Sequence, residues 1–303
     1  MQMQGDGLVL VAGQVARDLV LLTEGFPADG GSTRVGERRE LLGGKGANQA
    51  VGWRQLGAEV ALLAVIGTDR EGDDLLGQLE ADGIRPVVAR RGTTGLLTDI
   101  VGPGGSRRLF ERVPEESLLR PGDLAAVEHL LPEVDTLCLQ LQQPLPVLFD
   151  LARRAHDLGI AVALDGGVSG PGADELLALA SIVRADAVEA EQLTGFGIAS
   201  PADARAAAKT LLDRGADVVA LTVGGEGDLV VWPGGERFVA FGTDETVVDP
   251  TGAGDAFSVG LVAGLRAGLA PEDAASLAAD AARSTVARPG GRPDLTALRE
   301  RLG

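Results

Sequence analysis

Towards its C-terminal end the chain carries Asp249-Pro250-Thr251-Gly252-Ala253-Gly254-Asp255-Ala256-Phe257, which runs into an apolar stretch, Ala256–Leu265. Small residues at a helix start leave backbone N–H groups free to converge on an anion. Asp255 then stands beside that anion hole. Like charges repel, so a carboxylate there is odd for a simple phosphate binder, but it suits a base acting next to a phosphoryl group. The other reading is a glycine-rich turn with Asp255 as an N-terminal cap. The segment by itself leaves both open.

Three further segments have chemistry-bearing types at suggestive spacing. Gly43-Gly44-Lys45-Gly46-Ala47-Asn48-Gln49-Ala50 opens a helical pattern, Ala47–Leu56, and its glycines let backbone approach a ligand closely. It lacks the spacing of a P-loop, so Walker-type nucleotide binding is excluded. Thr222-Val223-Gly224-Gly225-Glu226-Gly227 ends a strand in glycines, and taken alone it is an ordinary hairpin turn leading into Leu229–Trp232. Asp186 and Glu189, three residues apart, share a face if helical and can orient hydrated Mg²⁺. Solvated surface acids are the plainer account of that pair.

The elements that must position these segments follow from the apolar runs. Leu8–Ala12, Val60–Ile66, Thr136–Leu141, Ala161–Leu164 and Val218–Val223 read as buried strands, and Thr246–Val248 as a strand leading to Asp249. Helical patterns lie at Ala47–Leu56, Asp73–Ala81, Pro146–Leu158, near Asp174–Leu179 and at Pro201–Arg214. Uninterrupted apolar strands separated by helices predict an α/β fold, a mostly parallel central sheet flanked by helices. Two half-polar extended segments, Thr33–Leu42 and Leu96–Val113, break the alternation, with turn signals such as Gly102-Pro103-Gly104-Gly105. They predict a small β-sheet lid, its strands within about residues 14–42 and 93–113, on one domain spanning 1–303.

Composition narrows the function. A net charge of −17 argues against a nucleic-acid partner, whose phosphates need clustered Lys and Arg. The basic residues are 25 Arg and two Lys, which singles out Lys45. Cys138 is the only cysteine, so no intrachain disulfide or thiolate cluster forms, and it is expected to be an inert buried thiol. His129 and His156 are expected in helical stretches without partners. No signal peptide or membrane-length apolar window is visible, so the expectation is a cytoplasmic protein without a membrane partner. A dinucleotide-binding dehydrogenase is discounted, because Leu8–Asp18 has only Gly13 where three glycines are needed.

Taken together and in this order, Gly43–Ala50 and Asp249–Phe257 resemble the two signatures of the ribokinase-like (PfkB) family of carbohydrate kinases. The first resembles the ribokinase branch most, and the match runs from Gly13–Asp18 to about Asp294. The resemblance implies an ATP-dependent kinase of a sugar-like hydroxyl, with a β-lid over the sugar. It implies Asp255 as the base and the N–H groups of Gly252, Ala253 and Gly254 as holders of the transferring phosphoryl group. Thr222, Gly224 and Gly227 would line the ATP phosphates, and Glu189 would organise Mg²⁺. Asp186 stands where the family has Asn, which puts its nucleotide contact in doubt. A K⁺-type site would use Asp249, the Thr251 carbonyl and the carbonyls around Thr285, Arg288 and Gly290. Asp294 beyond them replaces an expected hydroxyl residue and adds a negative charge.

On the acceptor side the resemblance assigns Asp18, Gly43, Gly44, Lys45 and Asn48. Two departures alter that pocket: Ala16 stands in place of a polar sugar contact, and Gln142 in place of a Glu. Ribose is therefore expected to be a poor acceptor. A nucleoside or a keto-sugar acid is the alternative substrate, and a non-catalytic sugar or nucleotide sensor the alternative class. Dimerisation through the lid is a further expectation, because exposed strand edges invite pairing.

Overall fold

The alternation of the first strand already shows a sheet covered on both faces. In β1 (Leu8–Ala12), Leu8, Leu10 and Ala12 enter one apolar core while Val9 and Val11 enter a second. The structure, a computed structural model, describes residues 5–242 and 247–302. The chain next leaves for a smaller sheet with β2 (Ala16–Thr23) and β3 (Val35–Gly43). It returns through α1 (Lys45–Gln55), β4 (Glu59–Ile66), α2 (Arg70–Ala81) and β5 (Arg85–Arg90). A second excursion, β6 (Gly95–Val101) and β7 (Arg107–Arg112), completes the small sheet.

The remaining course is β8 (Val134–Gln140), α3 (Leu145–Asp157), β9 (Ala161–Asp165), α4 (Ala173–Leu177), β10 (Ile182–Ala185) and α5 (Ala187–Thr194). Then follow α6 (Pro201–Asp213), β11 (Val218–Val223), β12 (Gly227–Trp232), β13 (Gly235–Ala240), α7 (Ala253–Arg266) and α8 (Pro271–Val286). The large sheet has nine strands in the order β13-β12-β11-β10-β9-β8-β1-β4-β5, all running in one direction except β12, which is antiparallel to both β11 and β13. Residues of α3 to α6 cover one face; α1, α2, α7 and α8 cover the other. The expected α/β architecture is present. Among the described residues no helix is long and apolar enough to cross a membrane.

The small sheet has the order β3-β2-β6-β7. Its register places Ala16, Asp18 and Val20 of β2 on one face with Gly43 and Leu41 of β3 and with Asp99 of β6. Arg107 of β7, opposite Val101, lies on the same face. Ala16, Asp18, Val20 and Asp99 are buried, whereas Phe110 on the other face is exposed.

Some boundaries differ from the sequence reading. Within residues 14–42 the small sheet holds a second strand, Ala16–Thr23, besides the segment expected at Thr33–Leu42, and Leu96–Val113 divides into β6 and β7 at the expected turn, Pro103–Gly105. The helix expected at Asp73 starts at Arg70, because the Asp69 carboxylate accepts the Gly72 N–H at 3.1 Å. His129 lies in a turn rather than a helix. Of the strand expected at Thr246–Val248, Thr246 lies outside the described residues, and Val247 and Val248 are not in a strand. The Val248 N–H instead donates to the Val286 carbonyl at 2.9 Å, tying the loop to the end of α8.

Candidate active site

The start of α7 is built by one glycine in a left-handed conformation. Gly252 has φ +74, and a Cβ there would fall 2.1 Å from the Gly291 carbonyl oxygen. Asp249 fixes the loop before it. This fully buried carboxylate accepts the Thr251 N–H at 2.9 Å, the Thr251 hydroxyl at 2.6 Å and the Gly290 N–H at 2.8 Å. The N–H groups of Gly252 and Gly254 have no protein acceptor among the described residues; that of Ala253 donates to the Pro250 carbonyl at 3.3 Å. Two of the three expected phosphoryl donors are thus free, and the third is shared.

Asp255, in the first turn of α7, is 6% exposed and accepts a 2.9 Å hydrogen bond from the Asn48 amide of α1. Its other oxygen, Oδ1, is buried without a partner among the described residues. Burial, and then the charge of Asp165, push the Asp255 carboxyl up to about 7, opposed by Lys45, Asn48 and Arg184. That places a carboxylate near the pKa a general base needs at neutral pH.

Asp165 belongs to a row of polar residues at the carboxyl ends of adjacent strands. Gln140 of β8 pairs in register with Asp165 of β9, and Asp165 with Arg184 of β10. All three lie on the sheet face that carries α1 and α7, since each follows by two residues Cys138, Ala163 or Ile182 of that core. Gln49 of α1 donates to Asp165 at 2.8 Å, and the Ser258 hydroxyl of α7 donates to the same oxygen. Arg184 stands 3.5 Å from Asp165 and 3.8 Å from Glu189, and donates to the Thr222 hydroxyl at 3.3 Å. Its guanidinium packs on Gly254, where a Cβ would lie 2.6 Å from NH1. Lys45 donates to Glu189 at 2.6 Å and lies 4.0 Å from Asp165. Burial works against both cations, but the surrounding carboxylates hold the pKa of each above its ordinary value.

Glu189 and Asp186 form a reciprocal cap on α5. The Asp186 carboxylate accepts the Glu189 N–H at 2.8 Å, and the Glu189 carboxylate accepts the Asp186 N–H at 2.9 Å. Burial pushes Glu189 up, but Lys45 and Arg184 more than reverse it, so its carboxyl titrates below the ordinary range. Thr222, Gly224 and Gly227 bracket the turn from β11 to β12, where the Thr222 hydroxyl also donates to buried Asp228 at 2.7 Å. Beside Ala253 a cavity of about 220 Å³, walled by Val239, Phe241, Pro250, Ala279 and Val286, lies between β13 and α7–α8.

On the small sheet, Asp18 is 2% exposed, with Oδ1 buried and without a partner among the described residues. Gly43 makes room for it, since a Cβ there would lie 2.0 Å from the Asp18 carboxyl carbon. Burial first, then the charges of Asp99, Asp255 and Asp249, push Asp18 up to about 7 against the pull of Arg107. Gly44 caps α1 with φ +88. Gln142 is exposed, while its neighbours Gln140 and Gln143 are buried. Asp294 pairs with Arg288 at 2.5 Å, so its added charge is already compensated.

Sequence reasoning missed Asp165, Arg184, Gln49, Ser258 and Asp228. The available signal was that the apolar runs at β9 and β10 close in a charged residue on one alternation. Two groups that the fold implies can be tested on these residues. For Mg²⁺, Glu189 and Asp186 lie beside the cations that a polyphosphate would meet, and no cluster of three metal-ligating side chains exists among the described residues. A divalent ion here would rest mainly on phosphate and water. For a monovalent cation, Asp249 is a buried carboxylate with no ion-pair partner among the described residues, and a lone buried charge is costly without compensation.

The fold and site have counterparts among known proteins. The family model described as "pfkB family carbohydrate kinase" matches residues 6–298. A ribokinase of Haemophilus influenzae is 29% identical over 96% of this chain and 96% of its own. A ribokinase of Mus musculus is 31% identical over 84% of this chain and 80% of its own. The crystal structure of Thermotoga maritima ribokinase superposes with a TM-score of 0.78 at 25% identity, covering 98% of this chain and 99% of that one. With the glycine turn before α1 and the glycine-rich turn before Asp255 standing on this sheet, the chain belongs to the pfkB family of carbohydrate kinases, which phosphorylate sugar-like substrates with ATP.

Proposed function

We propose that Asp255 takes the proton from a hydroxyl of a neutral or substituted sugar held beneath the small sheet, as that hydroxyl attacks the γ-phosphorus of ATP. One observation carries the reading. Asp18 Oδ1, Asn48 Oδ1 and Asp255 Oδ1 are all buried oxygens without protein partners among the described residues. Each accepts hydrogen bonds, so the group that satisfies them must offer several donors, as a polyol does. The Asn48 amide fixes the other Asp255 oxygen, leaving Oδ1 for the proton.

On the donor side, the free N–H groups of Gly252 and Gly254 and the positive end of α7 suit the charge on the transferring phosphoryl group. Arg184 and Lys45 supply the cationic wall, and the 220 Å³ cavity beside Ala253 suits the nucleotide base. Mg²⁺ bound with ATP would neutralise phosphate charge; Glu189 and Asp186 are the residues to hold its water shell. Asp249 with the Thr251, Thr285, Arg288 and Gly290 backbone would hold a monovalent cation under the loop.

The edges of the small sheet are β3 and β7, and two copies would pair through them; sedimentation at graded concentration reads this directly. The function itself is tested by ADP release with ATP and Mg²⁺ over pentoses, hexoses, keto-sugar acids and nucleosides. At least one acceptor should give stoichiometric phosphorylated product. ATP binding without ADP release on any of them would favour a sensor and sink the reading.

A further inference from the structure

The small sheet's buried face carries an ion pair that the catalytic reading does not use. Asp99 of β6 is 2% exposed, and Arg107 of β7 donates to both its carboxylate oxygens, through Nε and through NH2. NH1 of Arg107 has no partner among the described residues. The pair shares its face with Asp18, and Arg107 feels the charges of Asp99, Asp249 and Asp18. It therefore lies on the same face of the small sheet as Asp18, the face beneath which the proposed acceptor is held.

We infer that Asp99 and Arg107 determine acceptor specificity, selecting neutral polyhydroxylated acceptors and rejecting sugar acids and sugar phosphates. The inference rests on the kinase reading above and adds the substrate class. A guanidinium fork matches a carboxylate or phosphate in two parallel hydrogen bonds. Here that fork is filled by Asp99. An anionic acceptor would have to displace Asp99 and leave it buried without a partner, on the face it shares with Asp18. Leaving one member of a buried pair uncompensated is strongly unfavourable, so the pair repels one class of ligand while NH1 still donates to a neutral oxygen or nitrogen. A packing role alone needs no charge, because apolar residues of similar volume cover a sheet face at least as well.

The test measures binding by calorimetry without nucleotide, on the full chain. The neutral probes are D-ribose, D-fructose and adenosine; the anionic probes are 2-keto-3-deoxygluconate and fructose 6-phosphate. Wild type should bind at least one neutral probe, and each anionic probe at least tenfold more weakly. Asp99→Asn frees the guanidinium and should tighten an anionic probe tenfold or more, a gain that the double change Asp99→Asn, Arg107→Gln should abolish. Arg107→Gln alone should weaken the neutral probe without admitting the anion, and it carries the test if Asp99→Asn fails to fold. A merely structural pair yields no gain for anions. Wild type binding an anionic probe as tightly as a neutral one, or binding no probe, overturns the inference. So do variants with an unchanged profile. If the probes bind as stated and none releases ADP from ATP, the specificity assignment stands and the kinase reading falls.

Discussion

Lys45 Nζ lies 2.6 Å from Glu189 Oε1, a residue 144 positions further along the chain. Arg184 NH1 stands 3.8 Å from the other oxygen of the same carboxylate. On the proposed reading, an arriving polyphosphate would compete with Glu189 and Asp165 for these two cations, and the exchange would free an acid beside the phosphates for the water shell of a divalent ion.

Lys45→Met should therefore weaken ATP binding more than acceptor binding. A hydrogen bond to a charged group contributes about 1.5–3 kcal/mol, or roughly tenfold and upward in KM for ATP. Steady-state kinetics with each substrate varied in turn reads the split. An unchanged KM for ATP would remove Lys45 from the phosphate wall.

Asp255→Asn should lower kcat by ~10²–10⁴ and leave ATP affinity nearly as it is, because the amide keeps the shape but cannot take the proton. Retention of more than half the wild-type kcat would rule Asp255 out as the base.

Two substitutions should move the acid limb of kcat/KM in opposite directions. Asp165 raises the Asp255 pKa and Lys45 lowers it. Wild-type kcat/KM should rise with pH and level off above about 7, the free-enzyme value of the base. Asp165→Asn should shift that limb to lower pH, and Lys45→Met to higher pH. Stability has its own sign: Asp18 and Asp255 both hold protons up to about 7 when folded, against an ordinary value of 3.8. The folded state binds more protons in that window, so their contribution is complete below 3.8 and is lost as pH rises through 7. Denaturant titrations at pH 5 and pH 8 that gain stability with pH would contradict this.

The fold was legible where burial is two-sided, as at β1 and β4, whose apolar runs admit no other reading. It was least legible at the small sheet, where one face is solvated and Ala16–Thr23 mixes Arg17 and Asp18 with leucines. The two glycine signatures showed where the site lies, because close backbone approach leaves a mark in sequence. Asp165 and Arg184 left none of that kind. Each is a single polar residue closing an apolar run, and only the strand register brings them together between α1 and α7. Gln142 illustrates the converse: its neighbours are buried and it is not, a distinction that adjacent glutamines cannot display in sequence.

Two neighbouring glycines should respond differently to alanine. At Gly252 the side chain meets a left-handed backbone and the Gly291 carbonyl at 2.1 Å, so Gly252→Ala should cost about 1–3 kcal/mol or more in urea unfolding. At Gly254 it meets only the end of the Arg184 side chain, at 2.6 Å. Gly254→Ala should fold with near wild-type stability and lose kcat by moving that guanidinium. Equal stability losses at both positions would refute the distinction.

K⁺ should activate over Na⁺ or Li⁺, because a cation beside Asp249 would hold the Gly252–Gly254 N–H groups in place. Asp249→Asn should abolish the difference. Equal rates in K⁺ and in a bulky organic cation, at matched ionic strength, would exclude the site.

The small sheet is assembled from two separate excursions of the chain, residues 16–43 and 95–112, while Asp255 and its loop come from a third region, after residue 248. On the proposed reading, most of the choice of acceptor and the transfer of phosphate would be inherited in different pieces of the gene. Mutations in the first two stretches would then drift towards a new sugar without disturbing the last, so that a duplicated copy would change its diet and keep its chemistry.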